Sequence, residues 1–355
     1  MKDLTSFKPT NLIIRLPNWV GDVVLATPLL TDLRRAFPDA TITAMCLDYL
    51  APLIQTDLAI NELFCFSQNK GFLRRIRERN VIAKLKAGKY DLGILTTNSF
   101  SSAWLFWQGK VRNIIGFKGD GRSFFLNYPL PFPKMRTTQH ITQTYKELLC
   151  PLGIPYSTTP PRLFLTKQDV DHARDLVKQF DIRASTLIGI NPAAAYGSAK
   201  KWPLSYFRSL AFRLIQTCPS CAVLFFGDFA SRAEVAAICS GLPSQVINLA
   251  GRTTLRELMA LIQMCSVFVT NDSGPMHIAD AFEVPVVALF GSTDPVVTGP
   301  YRRQGKVIFK QVECSPCFKK VCPTHFMCMK SITADEVLEA VLSILKQPAS
   351  QSYAK

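Results

Sequence analysis

Two segments near opposite ends of the chain carry the same three-part signal. Asn11-Leu12-Ile13-Ile14-Arg15-Leu16 runs into Pro17-Asn18-Trp19-Val20-Gly21-Asp22. Val267-Phe268-Val269-Thr270 runs into Asn271-Asp272-Ser273-Gly274-Pro275-Met276-His277. Each reads as a buried strand, a tight turn with a glycine and an aspartate, and then a helix. In an open α/β sheet such a turn lies at the carboxyl ends of the strands, where these sheets bind ligands. Two such edges point to two parallel-sheet domains that face each other across a cleft, each lending it a carboxylate.

The stretches between them keep an alternating rhythm. Strands are expected at Asn11–Leu16, Thr41–Leu47 and Asp91–Thr97 in the first half. In the second they are expected at Leu187–Asn191, Ala222–Phe226, Val246–Leu249, Val267–Thr270, Val286–Phe290 and Lys306–Lys310. Helices fit Asp169–Phe180, Pro203–Gln216, Thr254–Met264 and Thr333–Leu345. Alternation of this kind implies parallel sheets covered by helices on both faces. The first helix has two readings: it starts at Thr27-Pro28, with proline in the first turn, or at Gly21, with Pro28 in its interior. At 355 residues the chain is long enough for two domains. The Pro-rich polar stretch Pro155–Pro161 is the linker candidate, giving domains 1–160 and 161–355, with the last helix a candidate to pack back on the first.

Hydrophobic residues make up 48% of the chain and the formal net charge is +15. The first argues against extensive disorder; the second calls for an anionic partner. The densest basic segment runs from Lys70 through Arg74, Arg75, Arg77 and Arg79 to Lys84, Lys86 and Lys89. Apolar Phe72, Leu73, Ile76, Val81, Ile82 and Leu85 are interleaved with these charges. It suits either an amphipathic helix on an anionic membrane surface or an ordinary solvated helix face. No nucleic-acid recognition motif accompanies the charge, so no nucleic-acid partner is expected. No apolar run reaches the ~18–20 residues of a membrane span. The first residues lack an apolar signal core, so a cytoplasmic location is expected.

Several motifs can carry chemistry. Asp22 can act as a general base at the first edge, or can cap the following helix. Asn191-Pro192-Ala193-Ala194-Ala195-Tyr196-Gly197-Ser198-Ala199-Lys200-Lys201-Trp202-Pro203 joins a strand to a helix through small residues. Its backbone can approach a phosphate while Lys200 or Lys201 supplies charge; an ordinary surface loop is the other reading. The Ser273, Gly274 and Met276 amides and the Ser273 hydroxyl make an anion site at a helix start, with His277 in its first turn. Ser292-Thr293-Asp294 follows a further strand in the same manner. Asp228 is a candidate for a ribose hydroxyl, and Leu249–Leu258 for seating a base. Asp169-Val170-Asp171 resembles a metal-binding Asp-x-Asp pair but is expected to be first-turn helix chemistry. Four of the 11 cysteines, Cys314, Cys317, Cys322 and Cys328, lie with His325 in one short segment, an alternative metal site. The first strand–helix turn lacks Gly-x-Gly-x-x-Gly, which argues against a dehydrogenase.

In this order, Pro17–Asp22, Asn98-Ser99-Phe100, Lys200-Lys201-Trp202-Pro203, Gly251-x-Thr253-x-Leu255 and Thr270–His277 resemble the family 9 glycosyltransferases, the ADP-heptose:lipopolysaccharide heptosyltransferases. The resemblance runs from about Asn11 to the final helix. The Pro-x-Trp-Val-Gly-Asp form and Asn98-Ser99-Phe100 are closer to heptosyltransferase II than to heptosyltransferase I. The resemblance implies a GT-B fold of two Rossmann-like domains, with the acceptor on the first and the ADP-sugar on the second. It implies Asp22 as the base and Lys200, Asp272, Ser273, Gly274 and His277 as donor-binding residues. Asn18, Trp19, Asn98 and Ser99 fall to the acceptor side. It implies inverting transfer from ADP-L-glycero-D-manno-heptose to Kdo-lipid A or heptosyl-Kdo-lipid A, with no cofactor or metal required. Lys70–Lys89, Arg112, Lys118 and Arg122 would then meet anionic acceptor groups and the inner membrane surface. The alternatives are heptosyltransferase I, another nucleotide-sugar transferase of this fold, or a non-catalytic nucleotide-sugar or membrane-binding protein.

Overall fold

The computed structural model describes residues 4–67, 73–132 and 139–346. The expected basic residue Lys70 and its neighbour Phe72 lie outside them. The chain divides into two compact units, Met1–Phe164 and Leu165–Lys355.

The first unit is a six-stranded parallel sheet of β1 (Asn11–Arg15), β2 (Thr41–Leu47), β3 (Glu62–Phe66), β4 (Leu92–Leu95), β5 (Asn113–Phe117) and β6 (Tyr128–Leu130). Its order is β3-β2-β1-β4-β5-β6. The second unit holds β7 (Thr186–Asn191), β8 (Cys221–Phe225), β9 (Val246–Asn248), β10 (Val267–Asn271), β11 (Val286–Phe290) and β12 (Gly305–Phe309). Its order is β12-β11-β10-β7-β8-β9. The two orders are the same design. In each, the strand direction of travel reverses between the first and fourth strands, which are neighbours: β1 beside β4, and β7 beside β10. Strands β8, β10 and β11 are buried along their whole length, as parallel strands covered on both faces must be. Their unbroken apolar runs are what made the second half legible. Strands β3, β5 and β6 were not anticipated: β3 is only partly buried, Gly116 breaks the apolar run of β5, and β6 is three residues long with a proline inside it.

The helix after β1 spans Val20–Ala36 and contains Pro28, so the earlier of the two expected starts is correct. Proline at 28 leaves the carbonyl four residues back, Val24 O, without its amide donor. The Thr27 hydroxyl donates to that carbonyl at 2.7 Å, which repairs the ladder locally.

The Pro-rich stretch forms no helix or strand, but it is stitched down. Ser157 Oγ and Thr159 Oγ1 donate to the buried Asp32 carboxylate at 2.5 and 2.8 Å. Lys146 Nζ donates to the carbonyls of Ser157 and Thr159, both at 2.8 Å. Arg162 reaches Thr27 and Thr31, and Thr56 Oγ1 donates to Phe164 O at 2.7 Å. Burial pushes the Lys146 ammonium down from its ordinary pKa, and the two carbonyls stand in for the water it loses.

The core of the second unit is centred on Trp202, which is fully buried with its Nε1 donating to Ile332 O at 2.9 Å. The final helix, Ala334–Leu345, buries Val337, Leu338, Ala340 and Val341 in that same core. Its apolar stripe is thus used within the second unit. Asp169 forms a capping box with Thr166 and receives Arg256, so the Asp-x-Asp resemblance is helix-end chemistry.

Asp280 is 2% exposed and accepts the amides of Tyr301 and Arg302. Burial dominates those bonds and pushes its carboxyl up to about 6. A raised carboxyl pKa gives stability that is full below the unfolded value and lost as pH rises through the folded one. Asp280→Asn should therefore remove on the order of 2 kcal/mol of stability loss between pH 4 and pH 7. Urea unfolding of both proteins at the two pH values checks this.

Candidate functional site

The site in the second unit is built where β7 and β10 leave the sheet. Two asparagines end these strands and tie their exits together. Asn191 Nδ2 donates to Ala193 O, to Thr270 Oγ1 and to Ser273 Oγ at 3.1, 3.4 and 3.1 Å. Asn271 accepts the Trp202 amide at 3.1 Å and donates to Pro192 O at 2.8 Å. The loop between them is thereby fixed, and it carries Lys200 to Asp272. Lys200 Nζ lies 2.5 Å from Asp272 Oδ2, with side chains 12% and 5% exposed. Thr293 Oγ1 donates to the same oxygen at 2.7 Å, and the Tyr196 ring lies 4.9 Å from the ammonium. A desolvated pair with further hydrogen bonds is held in one geometry. The Asp272 carboxylate orients Lys200, and the ammonium is the group here that can meet an anion.

The helix after β10 is Gly274–Ala281, with Ser273 at its cap and no side-chain cap bond. Its first amides are thus left for a ligand or water. Two expectations need correction. The Met276 amide donates to Ser273 O at 3.2 Å, so it is spent on the turn. Thr270 Oγ1 donates to Asn271 O, which makes Ser273 the donor in their 2.9 Å contact. The Ser273 hydroxyl must therefore rotate to serve a ligand. Pro275 has no N–H, so Gly274 contributes the clearest amide. His277 is 5% exposed. Asp228 accepts Ser231 N and Oγ at 2.9 and 2.7 Å, a turn-forming role.

The cysteine-rich segment buttresses the Lys200 loop. Ala199 N donates to Lys320 O at 3.1 Å, Tyr196 hydroxyl to Phe318 O at 3.3 Å, and Phe318 N to Ser292 O at 2.6 Å. The approach is so close that a Cβ at Gly197 would stand 2.2 Å from Lys320 O. Cys314 is exposed, Cys317 and Cys322 half-buried and Cys328 buried, all as free thiols. Among the described residues no three histidine, cysteine or acidic side chains are grouped to hold a metal.

The first unit repeats the arrangement around β1 and β4. Asp22 sits half-buried in the first turn of the helix Val20–Ala36, whose cap residue is Trp19. An acidic side chain is favoured at that end of a helix. Asn18 is gripped from both sides. Its Oδ1 accepts from Arg15 at 2.5 Å, and its carbonyl accepts from the Tyr49 hydroxyl. Trp19 is 59% exposed. Across the switch point, Asn98 Oδ1 accepts from Arg122 at 3.3 Å, and Ser99 caps the helix Phe100–Gln108 by accepting the Ser102 amide. Arg15 and Arg122 were missed as architects of the site. Arg122, expected among the anion-binding residues, is instead fully buried. Its guanidinium donates to the carbonyls of Phe117 and Thr97. Burial pushes both arginines down to about 10. Arg15 sits inside the apolar run read as a buried strand, a signal that could have marked it as inward; no sequence pattern separates Arg122 from surface arginines.

Two Rossmann-like units, the second presenting a lysine and an open helix start at its switch point, make up the fold of a nucleotide-sugar glycosyltransferase. The sequence profile of glycosyltransferase family 9 (heptosyltransferase) matches residues 78–327. The chain is 32% identical over 313 residues to the lipooligosaccharide heptosyltransferase 2 of Haemophilus ducreyi, covering 84% of this chain and 88% of that one. It is 29% identical over 344 residues to that of Campylobacter jejuni, covering 94% and 98%. The structure of Escherichia coli ADP-heptose lps heptosyltransferase II superposes with a TM-score of 0.81 at 26% identity, covering 95% of this chain and 99% of that one. The chain belongs to glycosyltransferase family 9.

Breaking a buried pair strands the partner charge. Lys200→Met and Asp272→Asn should each destabilise by ~3 kcal/mol, and the double variant by clearly less than their sum. Denaturant unfolding of the four proteins closes that cycle.

Proposed function

We propose that this chain transfers heptose from ADP-L-glycero-D-manno-heptose to the inner core of lipopolysaccharide, with heptosyl-Kdo-lipid A as acceptor. The observation that supports it best is the oriented Lys200 beside the open start of the helix Gly274–Ala281, in a chain whose relatives are named heptosyltransferase 2. The donor pyrophosphate is an anion that gains charge as the sugar leaves. Lys200, the Gly274 amide and a rotated Ser273 hydroxyl stabilise that charge. Asp272 acts by holding Lys200, and His277 completes the turn.

The acceptor hydroxyl has a pKa far above neutral and needs a base. Asp22 takes its proton while the oxygen bonds to the anomeric carbon. The bond from that carbon to the phosphate oxygen breaks, and ADP leaves with the electron pair. Attack opposite the leaving group inverts the centre. Positive charge from Lys200 serves where other transferases use a metal. Asn18, Trp19, Asn98 and Ser99 shape the acceptor side. The acceptor is lipid-linked, so the chain works at the cytoplasmic face of the inner membrane as a peripheral protein. Among the described residues no helix is long and apolar enough to cross a membrane.

Asp22→Asn should lower acceptor-dependent ADP release by ~10²–10⁴-fold while ADP binding, read by calorimetry, persists. Unchanged release would remove Asp22 from the base role. Faster turnover of the heptose-free acceptor than of the heptosylated one would reassign the chain to the first heptose addition.

A further inference from the structure

The first unit carries an aromatic surface that the transfer reaction does not use. Phe100, Trp107 and Phe124 are 45%, 49% and 85% exposed. They gather around half-buried Phe125, with ring centroids 5.2, 5.4 and 5.6 Å from it. The helix Phe100–Gln108 supplies two of these rings, and the turn Arg122–Phe125 supplies the others.

A basic helix lies directly alongside. Leu73–Gly88 carries six basic residues to one acidic residue. Its Val81 and Leu85 share a core cluster with Ala103 and Phe106 of the aromatic helix. The inward sides of the two helices therefore meet, and their outward sides form one surface. Exposed Arg79 and Lys86 lie on this basic helix, and exposed Lys110 and Arg112 follow the aromatic helix; Lys84 turns the other way, its ammonium 5.8 Å over the Phe64 ring of β3. Aromatic rings beside a basic face are what an anionic bilayer interface recognises, since the rings enter the headgroup layer while the cations meet the phosphates. A solvated helix face would not gather four aromatic rings at its border, and an exposed apolar patch of this kind marks an interaction site.

We infer that this surface docks the protein on an anionic lipid bilayer, with Phe124 and Trp107 entering the interface and the basic helix holding the headgroups. Phe100 directly follows Ser99, so docking here brings a membrane-anchored acceptor to the β1/β4 switch point. That last clause rests on the proposed function; the docking surface does not.

Co-sedimentation with vesicles tests it, using phosphatidylcholine alone and phosphatidylcholine mixed with phosphatidylglycerol. The wild-type chain should bind the mixed vesicles and scarcely the neutral ones. Phe124→Ser should lower binding about tenfold. Arg79→Glu and Lys86→Glu should each lower it about fivefold. Brominated acyl chains should quench the wild-type tryptophan emission, and Trp107→Phe should lose most of that quenching. Equal binding to both vesicle types would overturn the inference, as would wild-type binding by Phe124→Ser, or displacement from vesicles by single-stranded RNA. Turnover of a water-soluble de-acylated acceptor tests the transferase reading separately. A chain that docks through Phe124 but turns over no acceptor overturns that reading and leaves the docking surface standing.

Discussion

Strand order is the constraint on which both functional edges depend. In each sheet the first and fourth strands are neighbours, and the connections that follow them run to opposite sides. No loop crosses the gap between their carboxyl ends, so polar groups can be presented there without displacing core. Every residue given a role in transfer follows one of these four strands. The geometry of the gap, shared by the two sheets, comes from the backbone; the chemistry comes from which side chains the adjoining loops can hold still.

Holding them still is achieved by burying polar groups that touch no substrate. Asn191 and Asn271 lash the two exits of the second sheet together. Arg15 and Arg122 do the equivalent in the first, each spending its guanidinium on backbone carbonyls and an asparagine side chain. Such groups cost desolvation and are tolerated only when satisfied. Their geometric precision is what the loops gain in return. The cysteine-rich segment belongs to the same scheme, because its backbone carbonyls, rather than its thiols, brace the Lys200 loop.

Much of this was legible in the sequence, and the pattern of what was not is informative. Buried parallel strands are continuous apolar runs, so β7, β8, β10 and β11 could be read from residue type, and the half-buried β9 and exposed β12 from the βα rhythm around them. Among the missed strands, β3 is a partly buried edge, Gly116 interrupts β5, and β6 is three residues with a proline. Asp22 and Asp272 stood out as aspartates in tight glycine turns after apolar strands, whereas Lys200 was set apart from Lys201 only by the family resemblance. The Lys200–Asp272 pairing was not legible, since 72 positions separate the partners and only the fold closes them. The arginines were misleading for a related reason. Residue type announces a cation, while burial decides whether it faces a ligand or a carbonyl.

The strap from Pro155 to Phe164 bears on how the chain can be divided. Proline content marks it as a place to cut, yet it supplies both hydroxyls that meet Asp32 and both carbonyls that meet Lys146. Severed before the strap, the first unit would keep an acid and an amine, 4% and 3% exposed, stripped of these partners. The boundary that matters for autonomy is therefore drawn by satisfied polar groups, and it lies on the far side of the segment that looks like a linker.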